Sequence, residues 1–281
     1  MDLVWDGGAG TPPRLLEYNA DTPTALFEAA VVQWEWLRCE RPEADQFNAI
    51  HEALVAAWPA LRPPRRVRFA CARASAEDRG TVDYLRDTAL QAGLDPPFLH
   101  MDEIGWDGRL FRDAEERPIA ALFKLYPWDW LLAEPFGRHV AGALSTRWIE
   151  PAWRMIPAGK GFLALLWRLF PGHPNLLPAF LEPGRTGSGR EVAKPFWGRE
   201  GANIAAPGWI ETPGPYAGQP RVWQQWAELP CFAGRYPVLG SWVVAGRPCG
   251  VGIREDSTPI TRDTSRFVPH LFRPAKATPQ P

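Results

Sequence analysis

The first apolar runs, residues 2–5 and 14–19, flank Asp6-Gly-Gly-Ala-Gly-Thr-Pro-Pro13, and the pattern predicts a β-hairpin. Leu26, Phe27, Ala30, Val31, Trp34 and Leu37 then recur at three- and four-residue steps, the period of a helix. Thr22 reads as its N-cap and Pro23 as its first residue, with Asp21 beside the entry. A second amphipathic helix is predicted over 44–58, with Phe47, Ile50, Leu54 and Trp58 as its stripe. In Arg65-Arg-Val-Arg-Phe-Ala-Cys71 the alternation predicts a half-buried strand, with Val67, Phe69 and Cys71 inward. Ser75 and Asp78 make a capping box for the next helix, which Gly93 closes. Runs at 98–104 and 109–112 flank a Gly-Trp-Asp-Gly turn. Strands alternating with helices over the first 115 positions argue for an α/β unit.

Residues 128–180 read as mostly helical, broken by Pro151, Pro157, Pro171, Pro174 and Pro178. Pro183-Gly-Arg-Thr-Gly-Ser-Gly-Arg190 is the best internal boundary by composition. Strands are predicted beyond it at 191–196, 221–226, 236–244 and 248–253, and the Pro- and Ala-rich tail is expected to fray.

Apolar residues make up 46 % of the 281 positions and the net charge is −1, which excludes wholesale disorder and gives no reason to expect nucleic acid or an anionic membrane as partner. No run approaches the roughly 20 apolar residues of a membrane helix. The start carries no secretory pattern, so a cytoplasmic protein is expected. Cys39, Cys71, Cys231 and Cys249 have no metal-ligand spacing and are expected to be buried thiols. Of the 31 basic residues only four are lysines, at 124, 160, 194 and 276; a chain so committed to arginine keeps lysine where a compact ammonium is useful.

Glu17 and Asn19 lie two apart on a predicted strand and so share a face, with Asp2 on the partner strand. Three such oxygen donors suit Mg²⁺, and the same spacing is that of a solvated strand face. Lys194 ends a predicted strand before a turn bracketed by Gly198 and Gly201, where free backbone N–H groups and an ammonium could meet phosphate. Lys160, in Ala158-Gly-Lys-Gly161, is a second phosphate candidate or a surface lysine. Arg254-Glu-Asp256 marks either a solvated turn or the rim of an anion site. His51 reads as a structural histidine beside an apolar stripe.

Several strings go further. Leu15-Leu-Glu-Tyr-Asn-Ala-Asp-Thr-Pro-Thr24, Trp148-Ile-Glu-Pro-Ala-Trp153, Val192-Ala-Lys-Pro-Phe-Trp-Gly-Arg-Glu-Gly-Ala-Asn-Ile204, Tyr236-Pro-Val-Leu-Gly-Ser-Trp242, Gly252-Ile-Arg-Glu-Asp256 and Ser265-Arg-Phe-Val-Pro-His270 resemble, in order, the signatures of the glutathionylspermidine synthase family. The resemblance implies a mixed α/β chain with an ATP-grasp fold: a partial pre-ATP-grasp α/β region with the Mg-site hairpin over 1–150, a nucleotide-binding region over 151–272 and a disordered tail over 273–281. It implies an ATP- and Mg²⁺-dependent ligase that joins a carboxylate, such as a small peptide, to an amine through an acyl phosphate.

The same resemblance assigns roles residue by residue. Asp2, Glu17 and Asn19 would hold Mg²⁺; Lys160 and Lys194 would contact phosphates under the Gly198–Gly201 loop; Gln224 and Gln225 would lie at the adenine. Arg254 would stabilise the transferring phosphoryl group, and Thr22 would touch the thiol-peptide. Asp129 and Asp256 are acidic candidates for a polyamine. The family pattern also has an arginine and a further segment before the aspartate matched by Asp2, so a nucleotide-binding module without ligase activity is the alternative expectation.

Overall fold

The computed structural model describes residues 1–272 except 9, 143–144 and 209–211, so the expected tail and Lys276 lie outside the described residues. Four strands, Phe98–His100, Arg68–Cys71, Ala121–Leu125 and Arg147–Ile149, lie side by side in that order as a parallel sheet. Arg68–Cys71 is buried at every position, where alternation had suggested one wet face. Both faces are covered, as parallel sheets require. Phe69, Cys71 and Phe123 pack with Trp58, Val82 and Leu85 on one side, and Ala70 and Leu122 pack with Leu99, Phe111 and Ile119 on the other. The Arg147–Ile149 strand falls inside the stretch expected to be helical. It is only three residues long, too short for a period to declare itself.

The expected hairpin forms, with Asp2–Val4 antiparallel to Arg14–Glu17, but its sheet is completed from far along the chain. The order is Arg266–Val268, Arg247–Asp256, Tyr236–Val244, Asp2–Val4, Arg14–Glu17, all antiparallel. The hairpin therefore shares its hydrogen bonds with strands that the sequence placed in the second region. A third sheet joins Glu191–Pro195, Arg221–Gln225 and Ala179–Phe180. The Gly-rich stretch 183–190 connects two strands of this one sheet, and the Glu191 carboxylate holds it by accepting from the Gly184 and Thr186 amides.

Helix starts were the least legible feature. The first helix opens at Leu26, after Ala25 at φ 60°, and continues through a π-helical turn at Glu28–Val32 into Gln33–Glu40. Thr22 is thus not its cap. Asp21 is not an entry residue either: it is buried against Lys124 and the amide of Trp128. The second helix begins at Ile50 rather than 44. The residues before it are diverted to the edge of the large sheet, where the Ala49 amide donates to Cys249 O and the Phe47 carbonyl accepts from Val251 N. The Ala76–Gln91 helix starts as its capping residues require, with Ser75 Oγ accepting from Asp78 N at 3.1 Å, and Gly93 ends it at φ +84°. His51 is satisfied by Tyr84 and Gln91, as a structural histidine should be. Cys71 and Cys249 are buried, but Cys39 and Cys231 are exposed; all four are free thiols. Among the described residues, no helix is long and apolar enough to cross a membrane.

The Ile50–Ala60 helix packs directly on the antiparallel sheet, and Gly250 makes the approach possible. A Cβ there would lie 2.6 Å from the Ile50 side chain. Gly250→Ala is expected to lower stability by about 1–3 kcal/mol, read as a lower urea midpoint at unchanged slope. Ser75→Ala, which removes only the cap, is expected to cost about 1 kcal/mol in the same assay.

Candidate functional site

The small sheet and the hairpin end of the large one face each other, joined by Leu15, Leu163, Ala179 and Val222. Beside this seam lies a cavity of about 900 Å³. Eleven residues given site roles from the sequence line it: Asp2, Glu17, Asn19, Thr22, Lys160, Lys194, Gly198, Gly201, Gln224, Gln225 and Arg254; Asp129 does too, and Asp256 does not.

Three cations and two carboxylates converge on its inner wall. Lys160 Nζ donates to Glu17 Oε1 at 3.0 Å and to Gly198 O at 2.5 Å. Lys194 Nζ donates to Leu16 O at 2.8 Å and to Gln224 Oε1 at 2.7 Å. Arg254 Nη2 donates to Asp2 Oδ2 at 2.8 Å, and Asn19 Nδ2 reaches the same oxygen at 3.2 Å. Both lysines are buried, so Lys160 is not the surface residue that its local sequence allowed. Charge counts three against two, leaving the wall positive while all are ionised. Burial pushes the Lys194 ammonium down to about 8; Glu17 opposes that shift and Lys160 adds to it. Burial would raise the Glu17 carboxyl, but Lys160, Lys194 and Arg254 outweigh it and hold it below its ordinary value.

The geometry of Lys160 explains its two flanking glycines. The Trp197 and Phe196 rings occupy the space where Cβ atoms of Gly159 and Gly161 would stand, 2.9 and 2.7 Å away, and Lys160 N donates to Phe196 O. The two lysine segments are thereby clamped together. The turn after Lys194 is set by Gly201, whose φ is +71° and whose Cβ would meet Thr261 O at 2.6 Å. Arg199 in that turn pairs with Asp129 and lies 5.2 Å from the Trp130 ring. The amides of Arg199, Glu200 and Gly201 have no acceptor among the described residues and are available to an oxyanion.

The Gln224 side chain accepts from Lys194 and donates to Leu15 O at 2.9 Å, so it braces the lysine. Gln225 follows it on the strand and lines the same cavity, with no side-chain hydrogen-bond partner among the described residues. One expectation needs correction. Asp129 is taken by Arg199, and Asp256 by Arg262, Ser265 and Thr258, so neither is open to a polyamine. The sequence reading missed a different acidic group: Glu28, Glu77, Asp78 and Glu200 line the cavity without an ion-pair partner among the described residues. Burial raises the Glu77 carboxyl, and Glu28, Asp78 and Glu200 add to it. Only the helix start at Ser75 was legible there, not where its first turn points.

Comparison with known proteins gives the family. The family model described as "Glutathionylspermidine synthase preATP-grasp" matches residues 1–273. A Haemophilus influenzae protein with the provisional name acid–amine ligase is 44 % identical over 95 % of this chain and 73 % of its own length. The bifunctional glutathionylspermidine synthetase/amidase of Escherichia coli is 27 % identical over 91 % of the chain, and the trypanothione synthetase of Crithidia fasciculata 26 % over 90 %. The chain spans less than half the length of those two, 46 % and 44 %. Among solved structures, the apo glutathione synthetase-like effector of Globodera pallida superimposes with a TM-score of 0.54 at 9 % identity, over 95 % of this chain and 73 % of that one, which is a likeness of fold. The mixed α/β architecture is therefore the expected one, and the chain belongs to the glutathionylspermidine synthase family, whose named relatives are ligases.

Proposed function

We propose that the protein is an ATP- and Mg²⁺-dependent carboxylate–amine ligase. The observation that carries this reading is the convergence of Lys160, Lys194 and Arg254 with Asp2, Glu17 and Asn19 on one cavity wall, beside three unpaired backbone amides. The donor set fits its ligands by chemistry. Two lysines, a guanidinium and free N–H groups suit a polyphosphate, and two carboxylates with an amide oxygen suit a hard cation that keeps some of its waters. A bound Mg²⁺ would neutralise phosphate charge and help align the terminal phosphoryl group.

In this reading Lys160 and Lys194 hold the phosphates while the 199–201 amides cover them. Gln225 faces the base and Arg254 steadies the phosphoryl group in flight. A substrate carboxylate oxygen attacks the terminal phosphorus and ADP leaves. The amine nitrogen then attacks the acyl carbon, loses a proton, and inorganic phosphate departs as the amide forms. Lys160–Glu17 and Arg254–Asp2 pair with each other in the structure. A polyphosphate that draws the cations to itself releases both carboxylates for the metal. For the acceptor, Glu28, Glu77, Asp78 and Glu200, without an ion-pair partner among the described residues, favour a cationic amine, and Thr22 lines the same cavity for a peptide acid. A polyamine and a thiol-peptide are thus the first substrate pair to try.

Thermal unfolding with and without ATP–Mg²⁺ tests the site. Ligand at about 100 times its Kd stabilises by about 2.7 kcal/mol. Wild type is expected to shift upward and Lys194→Met to show no shift. A wild-type protein indifferent to ATP–Mg²⁺ would sink the reading, and nucleotide binding without phosphate release for any acid–amine pair would leave a binding module. ATP affinity is also expected to depend on pH with a definite sign. The Lys194 ammonium is present below about pH 8 and is lost as pH rises through that value, so affinity falls by up to about tenfold per unit above pH 8. Lys194→Met removes that slope. Stability runs the opposite way, since the folded protein sheds this proton before the unfolded chain does. The destabilising cost of the buried charge is fully present below about pH 8 and is relieved as pH climbs from 8 toward the ordinary lysine range.

A further inference from the structure

Lys124 is wholly buried, with none of its side chain exposed, in the middle of the parallel sheet. It sits on strand Ala121–Leu125, with Ala70 as its register partner. Its ammonium donates to Asp21 Oδ1 and to Tyr126 O, each at 2.8 Å, and lies 4.3 Å from the Trp128 ring. The other Asp21 oxygen accepts from Trp128 N at 2.7 Å and so caps the Trp128–Ala133 helix. An ion pair this deep is a poor way to add stability, because a well-packed apolar pair serves as well. What it supplies is direction.

Asp21 belongs to residues 18–25, which have no regular structure before the helix opens at Leu26. Among the described residues, the hydrogen bonds that tie this segment to other parts of the fold are the two of Asp21 and the Asn19–Asp2 contact, with the Tyr18 ring edge-on to Phe162 at its start. Asn19 and Thr22, on either side of Asp21, both face the cavity. The next residue of the capped helix, Asp129, grips Arg199 in the opposing glycine turn. One buried ammonium therefore anchors the segment that forms one wall of the cavity, through a helix that also holds the other.

We propose that Lys124 and Asp21 are positioning residues of the site: their buried pair sets Asn19 and Thr22 against the Lys160–Lys194 cluster. What fills the cavity rests on the ligase reading; the placement of residues 18–25 does not. Hydrogen exchange measures the placement, and Mn²⁺ titration at saturating ATP measures its consequence. In Lys124→Met the amides of residues 18–25 are expected to exchange about tenfold faster or more while those of Tyr236–Val244 and Arg247–Asp256 keep wild-type protection. Mn²⁺ affinity is expected to drop about tenfold with ATP affinity, measured without metal, held within about twofold. If Lys124→Met does not fold, the Asp21→Asn, Lys124→Met double variant, which keeps an acceptor for Trp128 N without a stranded charge, is read in the same way. Unchanged exchange at 18–25, or a uniform rise across every sheet, would show that the pair is structural only and overturn the proposal. A wild type that binds neither ATP nor Mn²⁺ would defeat the ligase reading while leaving the exchange result to decide this one.

Discussion

Holding two ammonium groups side by side out of water is the constraint around which this fold is arranged. Each such ion loses several kcal/mol of hydration, and the two repel one another. The chain answers with acceptors drawn from distant parts of itself. Glu17 and Gly198 O serve Lys160, while Leu16 O and Gln224 serve Lys194. Three of these four sit on strands, and the two on the hairpin lie far along the chain from the lysines they serve. The hairpin is therefore more than a terminal ornament of the large sheet. Its Leu16 carbonyl and Glu17 carboxylate offset the burial of the two lysines, and its position depends on strand Tyr236–Val244 beside it.

The same rule appears in the parallel sheet, which holds neither Lys160 nor Lys194 but supports the segment facing them. Lys124 and Asp21 join that sheet to residues 18–25, and helix Trp128–Ala133 reaches from there to Arg199. Three of the four lysines in the chain are thus buried ammonium groups with defined acceptors, and the fourth lies outside the described residues. Arginine serves more widely, in exposed pairs such as Arg73–Asp102 and in the buried Arg68–Asp113 pair. Its planar fork engages a carboxylate by two bonds, where an ammonium is a compact point charge.

This division explains what was legible beforehand. Strand positions 236–244 and 221–225 announced themselves through alternation, and the Ser75 cap through chemistry confined to four residues. Glu17 and Asp2 were placed together because a hairpin fixes its own register locally. The residues that failed were those whose partners are remote. Asp21 looked like a helix entry because nothing near it in sequence reveals Lys124, about a hundred positions away. The bracing role of Gln224 was hidden because its strand is legible but the carbonyl of Leu15 across the seam is not. The run 44–49 carried helical spacing, yet its backbone was claimed by the sheet edge at Cys249 and Val251. Local propensity yields wherever a distant donor or acceptor completes a buried group.

The paired charges of the cavity wall follow from the same rule. A wall of three bare cations would hold itself together poorly, and one of two bare carboxylates would do no better. Interleaving them pairs Lys160 with Glu17 and Arg254 with Asp2, while Lys194 is held by neutral acceptors. Moving either Lys160 or Arg254 therefore uncovers the carboxylate beside it.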